Sequence, residues 1–507
     1  MRRLKTKSPL IPLLQRGRLY PRLWQRGVRG DFINVFLAAL LSSTIISGCA
    51  VGPDYAKPEV NIPATFNEAK EGAAPAELVK WWTVFNDPML NSIVEKAVNS
   101  NRDLRLAEAR IKEVRAMYGA TDSDRWPKLN ASGSYSRNRG SENTFQNKKS
   151  GSGGVEYDQF QAGFDASWEI DLFGGVSRAA EAADADISAS VEGRRSVFVT
   201  LLGDVARSYI DLRGLQRQVA ITNANIKSQE ETLELIRLRY KAGLNSYLDV
   251  VRAEALVATT KSQLPSLERS LRQTAHRLSV LSGREPGALW EELSKESTVP
   301  IASSKIVAGL PSELLLRRPD LRRAERELAA ASARIGVAKA DLFPRFSLTG
   351  SFGLQSADAK DLGASSSQFW SFGPSVRLPL FTAGRTRANI RVQDARYEQA
   401  LVRYEQSFFT ALEDVENSLV AYSREQARRE ALAEASRASR DAVAMATELY
   451  SKGLIDFLNV LEAERSLFDS ESRLVQSEAA VSSNLVALYK ALGGGWESEI
   501  KNDNPSY

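Results

Sequence analysis

Apolar residues along the chain follow one period, then a second, then the first again, and the whole cycle occurs twice. From about Pro88 to Arg125 they recur at helical spacing, at Ile93, Val94, Ala97, Leu104, Ala107, Ile111 and Val114. This predicts one helix, ended by Trp126-Pro127 because the residue before a proline is pushed out of the helical region. A two-residue period follows. In "FDASWEIDLF", Phe164, Ala166, Trp168, Ile170 and Leu172 share one face of a strand, and Asp165, Ser167, Glu169 and Asp171 share the other. Leu129, Ala131, Gly133 and Tyr135 mark the strand before it, with the polar "QNKKSGSGG" as the loop between. Val176 to Tyr240, 65 residues without proline, then returns to helical spacing at Val197, Leu201, Val205, Tyr209, Leu212, Leu215 and Val219. As a continuous helix it would measure about 98 Å.

The second cycle matches the first in order. "RPDLRRAERE" (318–327) answers "NRDLRLAEAR" (101–110), and "LFPRFSLTGSFG" (342–353) answers "RWPKLNASGSYS" (125–136), both 217 residues on. Its strands place Phe346, Leu348, Gly350 and Phe352, then Val376, Leu378 and Leu380, on apolar faces. Its long helix, Arg385 to Tyr450, repeats every four and three residues through Tyr397, Leu401, Tyr404, Phe408, Leu412, Val415, Leu419 and Tyr422, as a coiled-coil seam does. Each long helix ends in the same phrase, "YKAGLNSYLDVVRAE" (240–254) and "YSKGLIDFLNVLEAE" (450–464), with seven of fifteen residues identical. Gly243 and Gly453 are placed to stop the helix and turn the chain, because glycine accepts positive φ at little cost. Return helices follow over Leu248 to about Leu281 and Leu458 to Leu492, the first expected to break at Pro265.

The expected organisation is therefore a two-fold internal duplication. The first repeat spans 89–282: a helix, strands 128–140 and 157–173, long helix 176–240, tip 241–247 and return helix. The second spans 318–492: a helix, strands 345–355 and 369–381, long helix 385–450, tip 451–457 and return helix. Outside them lie 1–48, 49–88, 283–317 and 493–507. Length alone, 507 residues, would suggest about three domains.

Composition changes the picture at one end. Residues 1–48 hold nine of the 67 Lys and Arg and one of the 62 Asp and Glu, so the +5 net charge belongs to the leader and the rest is slightly acidic. Nucleic-acid binding, which needs basic charge on the folded body, loses its support. The run "FINVFLAALLSSTIIS" (32–47) behind this basic stretch is too short to span a membrane as a helix, which takes about 20 apolar residues, and suits an export signal. Ile46-Ser47-Gly48-Cys49 resembles a bacterial lipobox, with acylation expected at Cys49, although an ordinary signal peptide beside a stray cysteine gives the same letters. Ala50 after the cysteine fits sorting to the outer membrane. One Cys and one His (His276) exclude an internal disulfide and a Cys/His zinc site.

An exported chain with strands apolar on one side and polar on the other suggests a membrane barrel, though a soluble antiparallel sheet with one wet face fits too. Four strands cannot close alone, since bacterial barrels have about eight or more and lipid tolerates no open edge. Several chains would have to share one barrel: a trimer supplies about twelve strands and a dimer about eight.

The segments "CAVGPDYAKP", "WWTVFNDPMLNSIVEKAVNSNRDLRLAEARI", "GLPSELLLRRPDLRRAERELAAASARIGVAKADLFPRFSLTGSFG", "RSLFDSESRLVQ" and "LYKALGGGW" together resemble the TolC/OprM family of outer-membrane efflux proteins, in its lipoprotein (NodT-like, OprM-like) branch. The resemblance covers nearly the whole chain after the leader. It implies an α+β membrane protein: a homotrimer whose twelve-stranded barrel, four strands per chain, continues into a periplasmic α-helical tunnel with a mixed equatorial belt. It implies a lipid-anchored, non-enzymatic duct without cofactor or metal, carrying small molecules such as drugs outward. Its partners would be a periplasmic adaptor and an inner-membrane pump, of the resistance-nodulation-division type, with no nucleic acid. Acylation of Cys49 would include palmitate.

The resemblance also implies a gate where the second hairpin bends inward, and the matching positions are Leu458 and, one turn on, Glu462. Relatives carry aspartate at the acidic position. Arg252 stands at the aligned place in the first hairpin, and the repeat alignment suggests a latch from it to Glu462. The two tips, Gly243, Leu244, Ser246, Leu248 and Asp249 with Gly453, Leu454, Asp456, Leu458 and Asn459, are the expected adaptor-docking surface. Two other readings stay open: the duct of a type I protein secretion system, and an envelope-spanning structural lipoprotein without a channel. No Ser/His/Asp, Cys/His or phosphate-loop constellation suggests an enzyme.

Overall fold

The computed structural model describes residues 50–59, 66, 78–141, 154–302 and 317–498. Cys49 and the leader lie outside them. The helix expected from Pro88 to Arg125 is two helices, α1 (Pro88–Ser100) and α2 (Arg102–Asp122), followed by a 3-10 turn over Ser123–Arg125. The break is Asn101. Its backbone is extended, and its side-chain oxygen accepts from the backbone amides of Asp103 (2.8 Å) and Leu104 (3.1 Å), capping α2.

Strands β1 (Lys128–Arg139) and β2 (Glu156–Ile170) follow, then α3 (Gly175–Lys241) and α4 (Tyr247–Leu281). After the single turn α5 (Trp290–Leu293), the order is α6 (Pro319–Ala340), β3 (Arg345–Ser356), β4 (Gln368–Arg377), α7 (Arg385–Ser451) and α8 (Phe457–Ala491). Helix, two strands, long helix and return helix thus occur twice. At 67 residues each, α3 and α7 are about 100 Å long.

Three further expectations fail locally. Pro265 does not divide the first return: α4 runs through it. The proline is exposed and costs one hydrogen bond there, while buried neighbours on either side, Thr260 and Leu271, keep the helix in place. The strand expected over 369–381 ends at Arg377, so Leu378 and Leu380 lie beyond it. Its partner β3 begins at Arg345, directly opposite Arg377, and offers nothing further to pair with. For the same reason β2 stops at Ile170, opposite Phe346, and not at 173.

The four strands form one antiparallel sheet in the order β1-β2-β3-β4. Beyond it, α3 and α7 run the full length of the helical part. Near the sheet they pack with α2 and α6; farther away they pack with α4 and α8, in the lateral order α4, α3, α8, α7. The short lanes are stacked end to end. Asn101 Nδ2 donates to the Leu281 carbonyl at the end of α4 (2.9 Å), and Arg318 Nη1 donates to the Ala491 carbonyl at the end of α8 (2.8 Å). A large core surrounds these junctions, joining Trp81, Ile93, Phe198, Tyr209, Phe408, Leu485 and Trp496. Segments outside the repeats contribute to it: Phe66, Leu78, Leu289, Leu293 and Val299. A second cluster, with Leu233, Ile236, Val250, Tyr450, Phe457 and Val460, closes the hairpins near their tips.

Candidate functional site

The sheet has two unlike faces. Registers Ala131↔Phe164↔Phe352↔Trp370 and Leu129↔Ala166↔Gly350↔Phe372 place apolar groups side by side, with Trp168, Leu348, Ile170, Phe346 and Val376 on the same face. Phe164, Phe352, Trp370 and Phe372 are exposed in the single chain. The opposite face carries Asn130 bonded to Asp165 (3.0 Å), and serine pairs Ser347–Ser375 and Ser351–Ser371 (each 2.7 Å). Such a sheet separates an apolar medium from water. Among the described residues, its outer strands, β1 and β4, have no partner on their free sides. Among the described residues, no helix is long and apolar enough to cross a membrane.

At the foot of the sheet the four lanes α2, α3, α6 and α7 curve around an open groove of about 780 Å³. It touches all four, and its wall is mixed: Arg110, Asp186, Arg194 and Arg334 stand among Val114, Met117 and several alanines. Residues 50–59 run along this region. Val51 N donates to the Phe173 carbonyl (3.0 Å), and Asp54 binds the buried Arg178 (2.6 Å). Ala50 packs against Gly174, so the described chain begins where the sheet meets the helices.

The tips have a shared backbone cause. Gly243 and Gly453 adopt φ of +77° and +73°. In each, the glycine amide bonds the carbonyl three residues back and the following leucine amide bonds the one five back, at 2.9 to 3.0 Å. This is a Schellman stop. Ser246 then starts α4 with a capping box to Asp249, whereas Asp456 starts α8 without a side-chain cap. Leu244, Leu248, Leu454 and Leu458 are exposed, as are Ser246, Asp456 and Asn459; Asp249 is half-buried.

Leu458 and Glu462 lie one turn apart on the exposed side of α8, facing away from the cluster that buries Phe457, Val460 and Leu461. Arg252 is exposed on α4. Within the chain, no ion pair joins Arg252 to Glu462 among the described residues; the pair formed nearby is Arg237 with Glu254 (2.8 Å). What ties the hairpins together is a link that residue patterns did not single out. The Tyr450 hydroxyl donates to Asn245 Oδ1 (3.0 Å), Arg239 Nε donates to the same oxygen (3.0 Å), and Asn245 Nδ2 donates to Asp249 (3.2 Å). A second tie is Thr232 Oγ1 to Glu464 Oε1 (2.9 Å), between α3 and α8. The conspicuous difference between the tips, Asn245 against Ile455, was the available signal for the first tie. Nothing in the linear sequence separates Glu464 from its repeat counterpart Glu254.

A sheet apolar on one face and polar on the other, joined to helices about 100 Å long, is the architecture of an outer-membrane channel protein. Residues 93–284 and 310–494, covering both repeats, match the model of the outer membrane efflux protein family, and the chain belongs to that family. It is 34% identical to nodulation protein T of Rhizobium leguminosarum bv. trifolii, over 90% of this chain and 97% of that protein. It is also 34% identical to the solvent efflux pump outer membrane protein SrpC of Pseudomonas putida, over 89% of this chain and 96% of that one. The solved structure of the outer-membrane channel OprN superposes with a TM-score of 0.83 at 35% identity, covering 89% of this chain and all of that one.

Proposed function

We propose that the protein is the outer-membrane exit duct of a tripartite efflux system, passively conducting small molecules from an inner-membrane pump to the exterior. The carrying observation is the four-stranded sheet, apolar on one face and polar on the other, with β1 and β4 unpaired at its edges among the described residues. Three copies joined edge to edge would close about twelve strands into a barrel with the serine-rich face inward. The groove lined by all four lanes, with its charged Arg110, Asp186, Arg194 and Arg334, would then face the lumen of a helical tunnel.

Cys49 carries the acyl anchor in this reading, and the start of the described chain at the foot of the sheet suits it. The exposed tips dock a periplasmic adaptor, which joins the duct to a pump of the resistance-nodulation-division type. Leu458 and Glu462 of three chains form the constriction, and a latch from Arg252 would have to reach Glu462 of a neighbouring chain. SrpC is named for solvent efflux, which favours small molecules over secreted proteins as cargo here.

Reconstitution of the purified full-length protein into planar bilayers tests the reading. Discrete, stable conductance steps from a species that crosslinks as a trimer are expected. A crosslinked trimer that passes no ions would sink it in favour of a structural lipoprotein.

A further inference from the structure

The two hairpins, α3–α4 and α7–α8, meet along the seam between α3 and α8. Glu464 lies in this seam, 6% exposed, just beyond the apolar cluster that closes the tips. Its repeat counterpart Glu254 is half-exposed and bound to Arg237 at 2.8 Å. Glu464 has no such cation among the described residues. Its Oε1 accepts from Thr232 at 2.9 Å, and its buried Oε2 has no partner. One turn earlier on the same face of α3, Gln229 is buried with both amide atoms unpartnered.

The charged groups on the surrounding helices are engaged elsewhere or exposed. On α3, Lys227, Glu230, Glu231 and Glu234 line an outer groove. Glu230 pairs with Lys261 of α4 (2.6 Å), and Glu234 with Arg237 (2.7 Å). On α7, Arg440 holds Glu471 (2.6 Å), while Arg437 and Asp441 are exposed; on α8, Glu462 and Arg465 are exposed. A dry carboxylate with one neutral donor is costly when ionised. Burial pushes the Glu464 carboxyl above the usual carboxylate range, and the Thr232 hydrogen bond opposes this only in part.

We propose that Glu464 is a proton-operated latch on the seam between the hairpins: neutral and dry while they are packed, ionised and hydrated when they part. The latch rests on the reading of the tips as the moving end of a duct. The sign follows from linkage. The packed seam binds the proton more tightly than the parted one, so its stabilisation is complete below the ordinary glutamate value of about 4.3. It is lost as pH rises through the elevated value, and rising pH favours the open end. Gln229 acts in the same direction, because its unpartnered amide gains water on parting.

The test is amide exchange of the full-length protein, read in peptides covering 229–236 and 457–466 at about pH 5 and about pH 7.5 and corrected for intrinsic exchange rates. Protection should fall severalfold at the higher pH in the wild type and stay nearly level in Glu464→Gln. Asp441→Asn, at an exposed position on α7, should keep the wild-type profile. Thr232→Ala, which removes the donor that favours the ionised form, should move the transition to higher pH. A wild type without pH dependence, or a Glu464→Gln variant that retains it, overturns the latch. Conductance is read separately: a conducting protein with a pH-indifferent seam defeats the latch alone, and a non-conducting one with a Glu464-dependent seam defeats the duct alone.

Discussion

The Tyr450 hydroxyl donates a hydrogen bond to Asn245 across 205 residues of sequence, joining the end of the second long helix to the tip of the first hairpin. The Arg239 guanidinium lies over the Tyr450 ring, 4.7 Å from its centroid. The repeat counterpart, Tyr240, does something else: it is 43% exposed and packs against Tyr247, whereas Tyr450 is 5% exposed and packs against Phe457. One tip is therefore held by the other. Tyr450→Phe should remove about 1 kcal/mol from the closed tip, about a fivefold change in a two-state equilibrium. Longer single-channel open times are expected, with Tyr240→Phe unchanged. Equal behaviour of the two variants would show that the link carries no load.

The sheet faces give a second, differential test. Phe372 lies mid-strand on the apolar face, opposite Gly350, and Ser371 is its neighbour on the polar face. An arginine at Phe372 should cost about 2–4 kcal/mol near the bilayer midplane, whereas Ser371→Arg should be tolerated. Outer-membrane levels of the two variants should differ accordingly. If Phe372→Arg accumulates normally and Ser371→Arg does not, the faces are assigned the wrong way round.

These faces were legible in advance because a period of two survives any register, and the tips because their glycine phrases occur twice. The rest was hidden for identifiable reasons. Helical spacing runs straight through Asn101, so only its capping role, "NRD" before an apolar run, betrays the break. Pro265 marks a break in the sequence pattern that α4 does not make, since packing overrides one lost hydrogen bond. Strand ends at Arg377 and Ile170 depend on where the partner strand begins, which no single strand reveals. Glu254 and Glu464 read alike until α3 presents Arg237 to one and Thr232 to the other.

At both tips the glycine is conformationally required but sterically free: a Cβ at Gly243 or Gly453 would meet nothing within 4 Å. Valine there should cost about 1–2 kcal/mol of backbone strain without a clash, reshaping the turn and leaving the rest of the chain folded. Gly243→Val and Gly453→Val should abolish efflux at normal outer-membrane levels, with loss of adaptor crosslinks from neighbouring positions. Crosslinks confined to the region around the large core would remove the tips from the docking role.

Mass spectrometry of the mature protein should show acyl chains on Cys49. Anchoring gains about 0.8 kcal/mol per buried methylene, so two or more chains hold firmly. If three sheets close into a barrel that anchors as well, Cys49→Ala should impair assembly more than retention. An unmodified mature N-terminus at another residue removes the anchor.

The gate prediction concerns the exposed pair Leu458 and Glu462 on α8. Three apolar side chains followed by three carboxylates around one axis would block hydrated solutes and attract cations, because a narrow aperture with low-dielectric walls concentrates the field. Conductance of the isolated protein should be small and cation-selective. Leu458→Ala should raise conductance, and Glu462→Ala should lower the cation-to-anion permeability ratio. Arg252→Ala should raise conductance if the arginine latches Glu462 of a neighbouring chain, since the two form no ion pair within one chain. In cells, the leaky variants should admit large antibiotics that the outer membrane normally excludes. If Leu458→Ala and Glu462→Ala leave both conductance and selectivity at wild-type values, the constriction lies elsewhere in the protein. The ties at Tyr450 and Glu464 would then be the next positions to vary.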